Sequence, residues 1–127
     1  FSGTLARCRR IRYIFSHAGG TVPFLAERIA RLGGRPEYRD KVPDGVVAEL
    51  ARLYYDTALS ANRLAFRSLL ELVECDHVLF GSDYPFAPEA TMTATVNGLI
   101  ELGLDPIDLL GIERDNAVAL FPQFAVD

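Results

Sequence analysis

Three polar residues stand at the ends of three apolar runs, and they set the chemical question. His17 follows Ile11-Arg-Tyr-Ile-Phe-Ser16, Asp56 and Thr57 close the run from Arg52, and Asp83 ends the apolar part of "VLFGSDYPF". One imidazole and two carboxylates gathered on one rim could bind a divalent metal and carry out acid–base chemistry. Each residue also has a plainer reading. An Asp after a strand is commonly a turn or cap residue, and a His at a strand end is often a structural group. The glycines beside His17 and Asp83 weigh towards chemistry, because they permit close approach of a ligand or of backbone.

Other residues narrow the choice. His77 begins the run that Asp83 ends, six residues earlier. At about 3.3 Å per residue the two lie roughly 20 Å apart along a strand, which gives His77 a structural role at the opposite end. That leaves one histidine for the rim, and no H-E-x-x-H pair. A metal site built by this chain alone is therefore short of ligands. Arg28, eleven residues past His17, either faces solvent or reaches an anionic substrate, since a guanidinium matches carboxylate geometry. Tyr84 and Phe86 flank Asp83 and either wall a pocket or pack as core. The "HAGG" segment lacks a Walker lysine and the G-x-G-x-x-G spacing, and no G-x-S-x-G elbow is present. Neither Cys8 nor Cys75 lies by an expected base.

The elements that must position these residues alternate. Residues 1–9 read as the tail of a helix. The spacing predicts strands at 11–16, 52–57 and 77–81, each ending at one of the polar positions. Pro23 starts a helix carrying Phe24, Leu25, Ile29 and Leu32, which Gly33 and Gly34 stop. Residues 33–44 read as an excursion loop and 45–51 as a short helix. Phe66, Leu69, Leu70 and Val73 line one face of the next helix, with Arg63, Arg67, Glu71 and Glu74 on the other. A helix near 89–102 follows. Asp105 caps a short one with Pro106 in its first turn, Gly111 is expected to end it, and 113–121 form the last. Strands alternating with helices, joined by connections too long for hairpins, indicate parallel βαβ units. Three strands fall well short of a closed eight-stranded barrel, which takes roughly 250 residues.

Composition bounds the function. The chain has 127 residues, half of them hydrophobic, with 13 basic against 17 acidic residues and a net charge of −4. This is the make-up of a globular chain with no basic footprint for nucleic acid or an anionic membrane. No apolar run approaches the roughly 18 residues that span a bilayer, and no signal peptide opens the chain at Phe1. The two separated cysteines suit buried thiols in a reducing compartment, so a cytoplasmic location is expected.

Together, "FSHAGGTVPFLAERI", "LYYDTA", "HVLFGSDYPF" and "RDNAVALF", in this order, resemble the C-terminal part of the metal-dependent amidohydrolase superfamily. The likeness is greatest to its branch of aminocarboxymuconate-semialdehyde decarboxylase and the decarboxylases of salicylate-type aromatic acids. It covers nearly the whole chain, and G-S-D-Y-P-F is its most specific element. The resemblance implies an α/β fold. Residues 1–127 would be the C-terminal portion of a single TIM-like (β/α)8 barrel domain, about three βα units, with the strands as its sixth to eighth. It places Asp83 as a ligand of the catalytic metal, usually zinc with manganese as the alternative. It makes His17 the acid–base or orienting group, gives Arg28 the substrate carboxylate across a dimer, and lines the pocket with Phe86. The implied activity is decarboxylation of a small aromatic or unsaturated carboxylic acid. A lactonase-like hydrolase and a non-catalytic half-barrel module are the alternatives. The family's first-strand His-x-His and fifth-strand histidine are absent from these residues. The chain by itself is accordingly expected to be inactive and to associate through its uncovered edges.

Overall fold

A computed structural model describes residues 1–125. Its centre is a three-stranded parallel sheet of β1 (Ile14–Phe15), β2 (Tyr54–Asp56) and β3 (Val78–Leu79), in the spatial order β1-β2-β3. Ile14 is opposite Tyr54, and Tyr55 is opposite Val78. Helices α1 (Thr4–Arg7), α2 (Val22–Gly33), α3 (Val46–Ala51), α4 (Arg63–Leu70), α5 (Glu89–Glu101), α6 (Pro106–Leu110) and α7 (Asn116–Leu120) surround it. Consecutive strands are parallel, and the chain between them crosses through helices, as the alternation requires.

Burial is greatest at the middle of β2, just beyond its end, and along β3. Tyr55 and Thr57 are fully enclosed, and Val78 and Leu79 of β3 are buried beside them. Phe66 and Leu69 of α4, Leu99 of α5 and Ile112 complete the core. Burial of each large side chain here contributes about 1.5–3 kcal/mol. Local chemistry starts the helices that supply them. The Asn62 side chain accepts the Leu64 and Ala65 N–H groups at 3.1 Å, and Asp105 accepts that of Ile107 at 2.9 Å. Pro23 occupies the first turn of α2, where no N–H is needed. No helix among the described residues is long and apolar enough to cross a membrane.

Several expectations are corrected. The strands are shorter than the apolar runs, because β1 and β3 each have only β2 as a neighbour among the described residues. The ladder closes where Tyr54 N–H meets the Tyr13 carbonyl at one end and Thr57 N–H meets that of Leu79 at the other. Beyond it, Phe80 N–H turns to the Ile112 carbonyl at 2.8 Å. Within the supposed loop, residues Pro36–Lys41 form a 3-10 helix opened by Pro36. Gly111 caps the end of α6 as expected, but the chain does not leave the helical path there. Gly111 keeps helical angles (φ −54°, ψ −54°), and a wide π-type turn, Gly111–Asp115, carries the chain into α7. The cause is Asn116, whose amide donates to the Cys75 and Val78 carbonyls at 2.8 Å and draws the turn onto β3. Both cysteines are free, and they are half-buried where full burial was expected.

Candidate active site

All three strands end at the same edge of the sheet, so His17, Asp56 and Asp83 do meet on one rim. His17 leaves β1 in a turn, His17–Gly19, whose backbone is left-handed at His17 (φ 57°), Ala18 (φ 51°) and Gly19 (φ 73°). Gly19 is required: a Cβ there would lie 2.7–2.9 Å from the Tyr55 ring. Two consecutive L-residues with positive φ are uncommon and cost energy, and such strain collects at functional sites.

The turn is held by β2. Asp56 Oδ1 accepts the His17 N–H at 2.8 Å and the Ala58 N–H at 3.0 Å. The His17 ring then bonds through Nδ1 to the Ala58 carbonyl at 3.1 Å. A carbonyl can only accept, so in the neutral ring the proton resides on Nδ1 and the Nε2 lone pair is free. That lone pair faces Asp83, whose Oδ1 is 4.0 Å from Nε2. The gap exceeds a hydrogen bond and leaves room for an atom that both groups hold. The two side chains are 42% and 24% exposed, so the pair is open to solvent-borne ligands. Asp83 itself sits at φ 62°, a conformation Asp tolerates, and its carbonyl accepts the Ala87 N–H at 2.8 Å.

Not every candidate joins this pair. Asp56, equally placed on the rim by sequence, spends its Oδ1 on two backbone N–H groups. Sequence reading had no sign of this beyond the strand-end Asp and the N–H two residues on, the pattern of an Asx turn. Arg28 is exposed on α2. Tyr84 and Phe86 are 69% and 92% exposed, which removes them from the core and leaves them at the edge of the rim. His77 has a structural role: it stacks on Tyr54 with ring centroids 4.7 Å apart and bonds the Leu53 carbonyl at 2.9 Å. It lines a cleft of about 230 Å³ with Arg9, Tyr13 and Glu49, and none of the rim residues lines that cleft.

The Asp83 carboxylate oxygen is a suitable donor for zinc or manganese, and the His17 Nε2 lone pair beside it is a proton acceptor. Among the described residues, no cluster of three or more His, Cys, Asp or Glu side chains is placed to hold a metal ion. Asp83 therefore fits one position of a metal's ligand shell and does not complete it.

The model of the amidohydrolase family matches residues 1–123. The chain belongs to that family. Among curated proteins it is 34% identical to decarboxylase yanB of Aspergillus niger, with 97% of this chain and 34% of that protein aligned. It is also 34% identical to the 6-methylsalicylic acid decarboxylase acuB of Aspergillus aculeatus, over 96% of this chain and 39% of that one. This amidohydrolase chain thus spans little more than a third of those relatives. Among solved structures, 2,6-dihydroxybenzoate decarboxylase from Rhizobium superposes with a TM-score of 0.78 at 21% identity, covering 97% of this chain and 38% of that one. The dihydroxybenzoic acid decarboxylase from Polaromonas sp. JS666, with bound manganese and 2-nitroresorcinol, gives 0.79 at 20% identity, covering 98% and 38%. At these identities the likeness establishes the fold, a partial α/β unit equivalent to about a third of each enzyme.

Proposed function

We propose that these residues supply strands six to eight of a TIM-like barrel in a metal-dependent decarboxylase acting on a small aromatic or unsaturated carboxylic acid. The reading is carried by one observation: His17 Nε2 and Asp83 Oδ1 face each other at 4.0 Å across the carboxyl ends of parallel strands. Relatives named as decarboxylases support the choice of reaction over lactone hydrolysis or a module without catalysis.

In this reading Asp83 would hold a divalent ion, zinc or manganese, with the free nitrogen of the His17 ring beside it. The remaining ligands come from polypeptide outside residues 1–127. The ion, when bound, supplies a Lewis acid that holds the substrate's oxygens. The protein's own residues orient the acid and handle one proton. His17 Nε2, unprotonated and anchored through Nδ1, takes up that proton and delivers it to the carbon bearing the carboxylate. The carbon–carbon bond breaks, its electron pair becomes the new carbon–hydrogen bond, and carbon dioxide leaves. Arg28, exposed on α2, offers its guanidinium to the substrate carboxylate of a neighbouring copy in a homodimer. Phe86 places an aromatic wall at the rim. A cytoplasmic location suits two free thiols.

Metal content and carbon dioxide release test this together. In the polypeptide as naturally expressed, about one equivalent of metal and release of carbon dioxide from a salicylate-type acid are expected. Asp83→Ala should lose the metal and lower turnover at least about 100-fold. Residues 1–127 alone should retain no metal after dialysis. Turnover of an aromatic carboxylate by those residues with zinc alone would refute the shared site, and ring opening without carbon dioxide would refute the reaction.

A further inference from the structure

We propose that Asp56 and Thr57 are positioning residues: three consecutive residues of the central strand's end, 56 to 58, fix where His17 and Asp83 stand relative to each other. The proposal rests on the reading of His17 and Asp83 as the acting pair. Towards β1, Asp56 Oδ1 takes both the His17 and the Ala58 N–H groups, at 2.8 and 3.0 Å. It thereby holds the left-handed backbone from which the imidazole projects. The Ala58 carbonyl then holds Nδ1 at 3.1 Å, closing a small ring of bonds that sets both the direction and the tautomer of the imidazole.

Towards β3, Thr57 is fully buried and makes two bonds with one residue. Its hydroxyl donates to the Gly81 carbonyl at 3.1 Å and accepts the Gly81 N–H at 3.0 Å. That fastens the main chain two residues before Asp83. A side chain at Gly81 would meet Asp56 as well: a Cβ there would lie 2.9 Å from its carboxyl carbon and 3.2 Å from Oδ2. One arm of β2 thus orients His17 and the other registers Asp83. Asp56 Oδ1 already accepts two backbone donors, so that oxygen is taken up in positioning and is not offered as a ligand.

The distinction between an acceptor and a charge supplies the test. Asparagine keeps the Oδ1 acceptor without the charge, and serine keeps the Thr57 hydroxyl. In the polypeptide as naturally expressed, Asp56→Ala and Thr57→Val should lower kcat about 10- to 100-fold with KM and metal content little changed. Asp56→Asn and Thr57→Ser should restore kcat to within about fivefold of wild type. Asp56→Asn as damaging as Asp56→Ala, with metal lost in both, would make Asp56 a ligand and overturn the proposal. So would unchanged kcat in Asp56→Ala and Thr57→Val. Nitrogen-15 NMR of the His17 ring, in metal-free protein and alkaline buffer where the ring is neutral, gives a readout independent of turnover. The Nδ1–H form is expected in wild type and Asp56→Asn, and a shift towards Nε2–H in Asp56→Ala. If no carboxylic acid is turned over, the proposed function fails and the tautomer comparison still decides the positioning role. If Asp56→Ala does not fold, loss of the Nδ1–H form in Asp56→Asn overturns it.

Discussion

At the scale of single residues, what a titratable group does here depends on which atoms surround it. Asp56 and Asp83 look alike in sequence, each the first acid after an apolar run. One is consumed by two backbone N–H groups and the other faces an imidazole. Spacing placed both on the rim, but it could not say which oxygen would accept which donor, because that depends on how closely β1 approaches β2. Cys75 shows a second such effect. Burial, reinforced by the nearby Asp108, pushes its thiol from 9.0 up to about 11. Between those values the unfolded chain releases a proton that the folded chain retains. The contribution to stability is therefore intact below pH 9 and lost as the pH climbs towards 11. Urea midpoints measured below pH 9 and near pH 11 should show a decline that is smaller in Cys75→Ala than in wild type. Equal declines in the two proteins would mean that the thiol contributes nothing to this limb.

At the scale of elements, the helices with strong local signals were legible. Asp105 caps and Pro23 opens α2 as expected, whereas the cap at Asn62 emerged only in the structure. The centre of each strand was legible too, while the strand ends were not, since pairing and not β-propensity determines where a ladder stops. The turn from α6 into α7 was misread because its cause is distant in sequence: the carbonyls that Asn116 satisfies belong to the start of β3. Replacing Asn116 with Ala removes both bonds and leaves the carbonyls of half-buried Cys75 and buried Val78 without this partner. A loss of about 1–3 kcal/mol in unfolding free energy is expected. A change below about 0.5 kcal/mol would show that the π-type turn holds its place without the side chain.

At the scale of the whole molecule, the sheet is open on both sides among the described residues. Ile14 and Phe15 of β1 and Phe80 beyond β3 are partly exposed to solvent, at 42%, 38% and 36%. Unpaired strand edges carrying apolar side chains promote association, and a net charge of −4 is a weak counterweight. Residues 1–127 prepared alone should show an apparent mass by light scattering that rises with protein concentration. A constant monomer mass into the millimolar range would show that these edges are sufficiently protected as they stand. The alternation of strands and helices made the parallel layout readable, and the quoted motifs made the family readable. How many strands flank the sheet is not legible, because no residue within 1–127 encodes it locally. The bonds from residues 56–58 bear on protein engineering. Because His17 and Asp83, the pair proposed to act, are both aligned by their shared middle strand, the three strands can be cut and recombined as one block. A chimaera that exchanges this block between related barrels, with its boundaries before β1 and after the Asp83 turn, carries the pair's alignment with it. A crossover placed between β1 and β2 would combine a histidine and its support from different parents.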